Sequence, residues 1–286
     1  MPASPNEGHF FLTKDKTEIF IHEFEPRPDY ASTIFIISGI TGINHNAEAD
    51  IIQQLSNGDN RLVVIHPRGT GYSSGKRGDI KDFDAFITDY IEVIRSDKDF
   101  NSKQHGVILY GHSMSTAVTL ALSSAIGNLK GVILVNPPYR TKKAKGMSPS
   151  LGDYLKFVGY FLFDRHTPIV NMAGDPSQIE NEEDRLEAES RAKDPLLVKY
   201  FSMYLMAKSG KLIGGMLDHC KTADYPLLLL YGLNDNIVDK AGCDIIYREW
   251  KCPIKQYNLI EAGSHGKSTA RLARGIINDW VRERRD

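Results

Sequence analysis

Residues 107–115 read Val-Ile-Leu-Tyr-Gly-His-Ser-Met-Ser, and the fold is decided by how this stretch turns. Val107–Tyr110 is a short apolar run of the kind that suits a strand buried on both faces. Ser113–Ile126 carries helical patterning. A buried strand that passes into a helix through Gly111 and Ser113 reads as a nucleophile elbow, a sharp turn that lifts a hydroxyl over the carboxyl edge of a sheet. Such a turn strains the backbone at the serine, so the residues two positions away must be small. Gly111 meets this demand, and Ser115 stands where glycine is usual. The helix N-terminus brings positive backbone dipole to a developing oxyanion. The bland alternative is an N-capping serine at an ordinary junction; the strand before and the helix after argue against it.

Outward from the elbow, short runs rich in Val, Ile and Leu recur at Ile34–Ser38, Leu62–Ile65 and Val132–Val135. They alternate with helical stretches at Ala47–Leu55, Asp82–Arg95 and Ser113–Ile126. Alternation of this kind predicts a doubly wound, mostly parallel sheet with flanking helices. Phe10–Leu12 and Ile19–Phe24 read as an N-terminal hairpin. After Val135 the alternation stops. Residues 138–222 show no convincing strand, only aromatic and methionine-rich helical patterns such as Leu151–Phe163 and Leu196–Met206, punctuated by prolines. Strand character returns at Leu227–Tyr231 and Ile254–Ile260, and a last helix is expected from about Lys267 to Arg284. The expected architecture is an eight-stranded core of residues 1–137 and 223–286, interrupted after strand six by a helical cap of residues 138–222.

A serine hydroxyl needs a base, and with this elbow an acid and then a histidine follow in chain order. Of nine histidines, His265 is the one beyond the strand at Leu227–Tyr231. It lies in Glu261-Ala-Gly-Ser-His-Gly266, a loop after the last strand that should overhang the same edge as Ser113. Asp235 follows the strand that ends at Gly232 and is the expected acid, fixing the imidazole tautomer. Asp239 and Asp244 compete for that role but read better as carboxylates at the start of a following helix. The oxyanion hole should combine the N–H of Met114 with one from the loop Ser38-Gly-Ile-Thr-Gly42, where Ile40 is the expected donor. The segment Arg68-Gly-Thr-Gly-Tyr-Ser-Ser-Gly75 lacks the lysine–hydroxyl pair of a phosphate loop, so Arg68 is expected to make framework hydrogen bonds.

Three stretches together carry a family likeness: Arg68–Gly75 with Asp89 downstream, Gly111-His-Ser-Met114, and Gly232-Leu-Asn-Asp-Asn-Ile-Val238. Over nearly its whole length the chain resembles the monoacylglycerol-lipase-like branch of the α/β hydrolases, which also includes lysophospholipases and serine aminopeptidase relatives. The resemblance implies an α/β-hydrolase fold with a helical cap, and Ser113, Asp235 and His265 in the catalytic roles. Two positions differ from the family pattern. Ser38-Gly39 replaces the usual His-Gly, and Ser115-Thr116 replaces two smaller residues after the elbow methionine. The implied reaction is serine-dependent hydrolysis of a carboxylic ester through an acyl-enzyme, with a monoacylglycerol-like substrate. In the cap, Tyr139, Phe157, Tyr160, Phe161, Tyr200, Met203, Tyr204 and Met206 are candidates to line an acyl channel; helical spacing assigns at least half of them to packing instead. Lys142, Lys143 and Lys145 would suit transient contact between the cap and a lipid surface, or a solvated face. The alternatives are a catalytically silent ligand-binding protein on the same fold, or cleavage of an amide or carbon–carbon bond by the same three residues.

Composition is consistent with these expectations. The chain has 286 residues, 41% hydrophobic and 25% charged, with a formal net charge of -1. Near-neutral charge gives no reason to expect a nucleic acid partner. The N-terminal stretch lacks a signal-peptide core, and no run reaches the roughly 20 apolar residues of a membrane span. Cys220, Cys243 and Cys252 show no metal-ligand spacing and read as reduced thiols in a cytoplasmic protein. No metal and no organic cofactor is expected.

Overall fold

The computed structural model describes residues 8–24, 28–40, 55, 59–102, 105–142, 158–172 and 175–284. Its centre is an eight-stranded sheet of β1 (His9–Leu12), β2 (Glu18–Phe24), β3 (Ser32–Ile37), β4 (Asn60–Ile65), β5 (Val107–His112), β6 (Gly131–Val135), β9 (Leu227–Gly232) and β10 (Lys255–Ile260). The spatial order is β1-β2-β4-β3-β5-β6-β9-β10. β1, β2 and β4 pair antiparallel, and every pairing from β4 to β10 is parallel.

The side-chain period of two divides the central strands between two cores. Phe35, Ile37, Leu109, Leu134, Leu229 and Tyr231 enter one apolar cluster. Their neighbours Ile34, Ile36, Ile108, Tyr110, Ile133 and Leu230 enter the other. Every residue of β3, β4, β6 and β9 is buried, which is why these strands read as unbroken apolar runs. The first face is covered by α1 (Phe83–Ser96) and α2 (Ser115–Ile126). Asp82 caps α1 by accepting from the Asp84 and Ala85 amides at 3.0 and 3.2 Å. Arg68 forks onto Asp89 of α1 at 2.5 and 2.6 Å, and also reaches Asp15 at 2.9 Å, so the loop after β4 is pinned to a helix and to the hairpin.

The segment after β6 departs from the expected all-helical cap. β7 (Pro168–Asn171) and β8 (Tyr200–Ser202) form a two-stranded antiparallel sheet. Four and three residues are too short to establish a period of two, and the pairing is irregular between Pro168 and Val170. The helix expected over Leu196–Met206 therefore splits. Ser202 ends β8 and caps the next helix by accepting from the Leu205 amide at 3.1 Å. The described helices here are α3 (Glu182–Ala192), α4 (Met203–Gly214) and α5 (Met216–Thr222). Residues 158–163 are also helical; the rest of the Leu151–Phe163 stretch, and all of Ala47–Leu55 but Leu55, lie outside the described residues.

After β9 comes α6 (Lys240–Glu249), whose N-cap is Asp239. The C-terminal helix is broken at Ala273 into α7 (Ser268–Leu272) and α8 (Arg274–Arg282). α8 closes the second core with Trp280, 1% exposed. Its ring lies against Gly131, where a Cβ would come within 2.5 Å of the indole. Gly131→Ala is therefore expected to destabilise the fold by about 1–3 kcal/mol, the usual cost of overpacking. The urea unfolding midpoint measures it, and an unchanged midpoint would show that Trp280 yields freely.

Candidate active site

Ser113 has φ 53°, a left-handed conformation that costs a non-glycine residue roughly 1–2 kcal/mol. Two neighbouring strands hold it there: β5 delivers the residue, and the Ser113 N–H donates to the Val135 carbonyl at the end of β6, at 2.8 Å. Gly111 is required behind the turn, because a Cβ there would stand 2.3 Å from the Thr119 hydroxyl. Ser115 fits without opening the turn. Its hydroxyl donates to the His112 carbonyl at 2.6 Å and accepts from the His112 amide at 2.9 Å. The side chain is folded back on the elbow's own backbone.

His265, in the loop between β10 and α7, reaches the same edge. Its Nε2 lies 2.8 Å from Ser113 Oγ, and its Nδ1 lies 2.8 Å from Asp235 Oδ2. Asp235 is 1% exposed. Its other oxygen, Oδ1, accepts from the Ile237 and Val238 amides, both at 2.8 Å. Burial works to raise the Asp235 pKa, but the His265 hydrogen bond and the two amides outweigh it, and the carboxyl is held below its ordinary value. The competing carboxylates are engaged elsewhere: Asp239 accepts from the Ala241 amide at 3.0 Å, and Asp244 pairs with Lys240 at 2.7 Å.

Met114 opens α2, and its N–H belongs to the elbow. The loop after β3 lies against that point, since a Cβ on Gly39 would come 3.3 Å from the Ser115 nitrogen. Ile40 follows in this loop and is 2% exposed. The loop beyond Ile40 is outside the described residues.

Several positions with a hand in this geometry escape the sequence patterns. Asn136, fully buried with φ 47°, accepts from the Gly232 amide at 2.9 Å and donates to the Ser264 carbonyl at 3.0 Å. It thereby joins the end of β6 to the strand that leads to Asp235 and to the loop that carries His265. In sequence it is one asparagine before Pro137-Pro138, and its tolerance of positive φ is the only hint. His112 donates from Nε2 to the His265 carbonyl across 2.8 Å. Burial and the adjacent His265 push its pKa down to about 4. Lys142 is exposed on a solvated face, and from there its ammonium donates to the Asp235 carbonyl and its amide donates to the Ile237 carbonyl. Lys143 and Lys145 lie outside the described residues.

None of the described candidate acyl-channel residues lines the cavity beside His265. A cavity of about 140 Å³ beside it is bounded by Asp184, Glu187 and Arg191 of α3, by Asn236 and Ile237, and by His265 and Gly266. Tyr204 instead lies tilted against His166, with ring centroids 4.6 Å apart, and Arg165 and Lys208 lie over its ring. Tyr139 and Met206 pack on the first apolar core. Met203 is half-buried at the start of α4. Tyr160, Phe161 and Tyr200 are exposed, and Phe157 is outside the described residues. The three cysteines are free and buried. Among the described residues no cluster of His, Cys, Asp or Glu could hold a metal ion, and no helix is long and apolar enough to cross a membrane.

The strand order, the elbow after β5 and the loops after β9 and β10 define an α/β-hydrolase fold. The family model described as serine aminopeptidase, S33, matches residues 29–268, and the chain belongs to that family. A monoglyceride lipase of Rattus norvegicus is 24% identical over 286 residues, covering 96% of this chain and 89% of the relative. A monoacylglycerol lipase of Mycolicibacterium smegmatis is 23% identical over 259 residues, covering 86% and 85%. Among solved structures, a soluble variant of the Saccharomyces cerevisiae monoglyceride lipase, in complex with a substrate analog, superposes with a TM-score of 0.79 at 15% identity, over 96% of this chain and 94% of that one. The Paleococcus ferrophilus monoacylglycerol lipase gives 0.73 at 18% identity, over 93% and 99%.

The neutral state of His112 has a consequence for stability. With a folded pKa of about 4 against 6.5, the folded chain binds fewer protons than the unfolded one between those values. Stability is full above 6.5 and is lost as pH falls through this window. His112→Gln, whose amide still donates, should flatten that loss. Urea unfolding across the window checks it, and an unaltered slope would place the titrating group elsewhere.

Proposed function

We propose that the chain is a carboxylic ester hydrolase in which Ser113 is the nucleophile, His265 the general base and Asp235 its orienting acid. The observation that carries this reading is the continuous line of hydrogen bonds from the Ser113 hydroxyl through the imidazole to a buried carboxylate. Asp235 Oδ2 fixes the tautomer with its proton on Nδ1, which leaves Nε2 free to accept the serine proton. Ser113 Oγ attacks the ester carbonyl carbon as that proton passes to Nε2. The tetrahedral oxyanion forms within reach of the Met114 and Ile40 amides; losing one such donor costs about 2.7–4 kcal/mol of transition-state stabilisation. Collapse breaks the carbon–oxygen bond to the alcohol, which leaves with the proton from Nε2. Water then attacks the acyl-enzyme, gives its proton to Nε2, and the acid is released as Ser113 recovers its own.

The relatives named as monoglyceride and monoacylglycerol lipases favour a long-chain monoester as substrate. In this reading residues 138–222 form a cap over a core of residues 1–137 and 223–286. The cap meets the lipid surface through the helix at 158–163, where Leu162 is 67% and Phe163 90% exposed.

Ser113→Ala should abolish hydrolysis of monoacylglycerols and p-nitrophenyl esters, and labelling by a fluorophosphonate, with little change in the unfolding midpoint. Turnover near the wild-type rate would refute the nucleophile. Asp235→Asn should lower kcat by up to about 10⁴-fold. If Asp239→Asn does that damage instead, the acid is misassigned. Faster turnover of aminoacyl amides than of esters would overturn the ester preference.

A further inference from the structure

Helix α3 turns one face to the loop that carries His265. Asp184, Glu187, Ala188 and Arg191 follow the i, i+3, i+4, i+7 spacing of a single helix face, and all four border the cavity beside the imidazole. Two of them bond directly to the loop on either side of His265. Asp184 Oδ1 accepts from the Ser264 hydroxyl at 2.6 Å. Glu187 Oε2 accepts from the Lys267 amide at 3.3 Å. Gly266 makes the approach feasible, since a Cβ there would stand 2.5 Å from Asp184 Oδ1 and 2.7 Å from Glu187 Oε2. One turn away, Glu183 pairs with Arg271 of α7 at 3.0 Å. From the core side, the loop is held by Asn136 and Thr269 on the Ser264 carbonyl and by His112 on the His265 carbonyl.

We propose that Asp184 and Glu187 are positioning residues for the base. They clamp the loop from the inserted segment, so that seating of α3 and readiness of His265 to take the Ser113 proton are one event. The inference rests on the reading of His265 as base given above. The serine proton must be taken over a hydrogen bond of ordinary length, and a misplacement of about 1 Å can cost 10²-fold in rate. A loop held by the core alone retains its fold but loses the restraint on the C-terminal flank of His265. The clamp therefore acts on the chemical step and little on substrate affinity. Because the working groups are acceptor oxygens, amides of the same length should serve in place of the carboxylates.

The test uses p-nitrophenyl acetate, a substrate too small to fill an acyl site, with kcat and KM measured separately. Asp184→Ala combined with Glu187→Ala should lower kcat by about 10–100-fold with KM nearly unchanged. Asp184→Asn combined with Glu187→Gln should restore most of it. The atoms nearest a Cβ at Gly266 belong to the Asp184 and Glu187 side chains, so Gly266→Ala should fold and reproduce the kcat loss; it decides the matter if the double alanine variant does not fold. Wild-type kcat in Gly266→Ala, a change confined to KM, or amide variants as impaired as the alanine pair would each overturn the clamp. Ser113→Ala beside them marks the other failure: turnover surviving there overturns the nucleophile and this inference with it.

Discussion

The geometry of the site depends on the last residue of β6 and the one that follows it. Val135 offers its carbonyl to the Ser113 amide, and Asn136 offers both ends of its side-chain amide to the Gly232 N–H and the Ser264 carbonyl. One strand end is therefore bonded to the turn at Ser113, to the strand that leads to Asp235 and to the loop that carries His265. β6 lies between β5 and β9 in the sheet. Its main chain meets both neighbours, through the Val135 carbonyl to Ser113 and the Asn136 amide to Leu230, and the Asn136 side chain reaches on to Gly232 and Ser264. A parallel sheet makes this economical, because all its strands release their chains at the same edge.

That constraint also explains where strain is tolerated. Ser113 and Asn136 both hold positive φ, at 53° and 47°. Each sits at the carboxyl end of a fully or nearly fully buried strand, with its amide engaged by a neighbouring strand. Strained backbone persists when surrounding contacts over-determine it. Here the determinants are ladder-like bonds across three adjacent strands, so relaxing either residue means breaking the sheet edge.

The two-faced sheet was legible in the sequence because its strands are buried on both sides and appear as unbroken apolar runs. The convergence of Ser113, Asp235 and His265 on one edge is legible because the turn at each strand end leaves a local mark and chain order does the rest. The inserted segment was not. β7 and β8 are too short for periodicity, and the exchange from strand to helix at Ser202 is decided by one hydroxyl. The residues that hold the site, Asn136, His112, Lys142, Asp184 and Glu187, act through polar bonds to backbone or hydroxyl groups 80 or more positions away. Nothing in a local pattern records such a partner. Spacing identifies an apolar face but not what it faces, and Tyr204 and Met206 pack against the first apolar core.

The bonding of Asp235 and His112 gives the site a direction. Asp235 has one oxygen committed to two amides and one to His265, so its carboxylate cannot rotate away to solvent or to another donor. The imidazole is left with a single geometry, proton toward Asp235 and lone pair toward Ser113. A second imidazole lies against the first, with ring centroids 5.8 Å apart. Were it protonated, it would oppose the imidazolium that the proposed reaction creates on His265. Burial keeps His112 neutral, and a neutral ring can still donate its Nε2 proton to the His265 carbonyl. The same low-dielectric surroundings that make Asp235 an effective counter-charge thus disarm the neighbour that would otherwise compete with it.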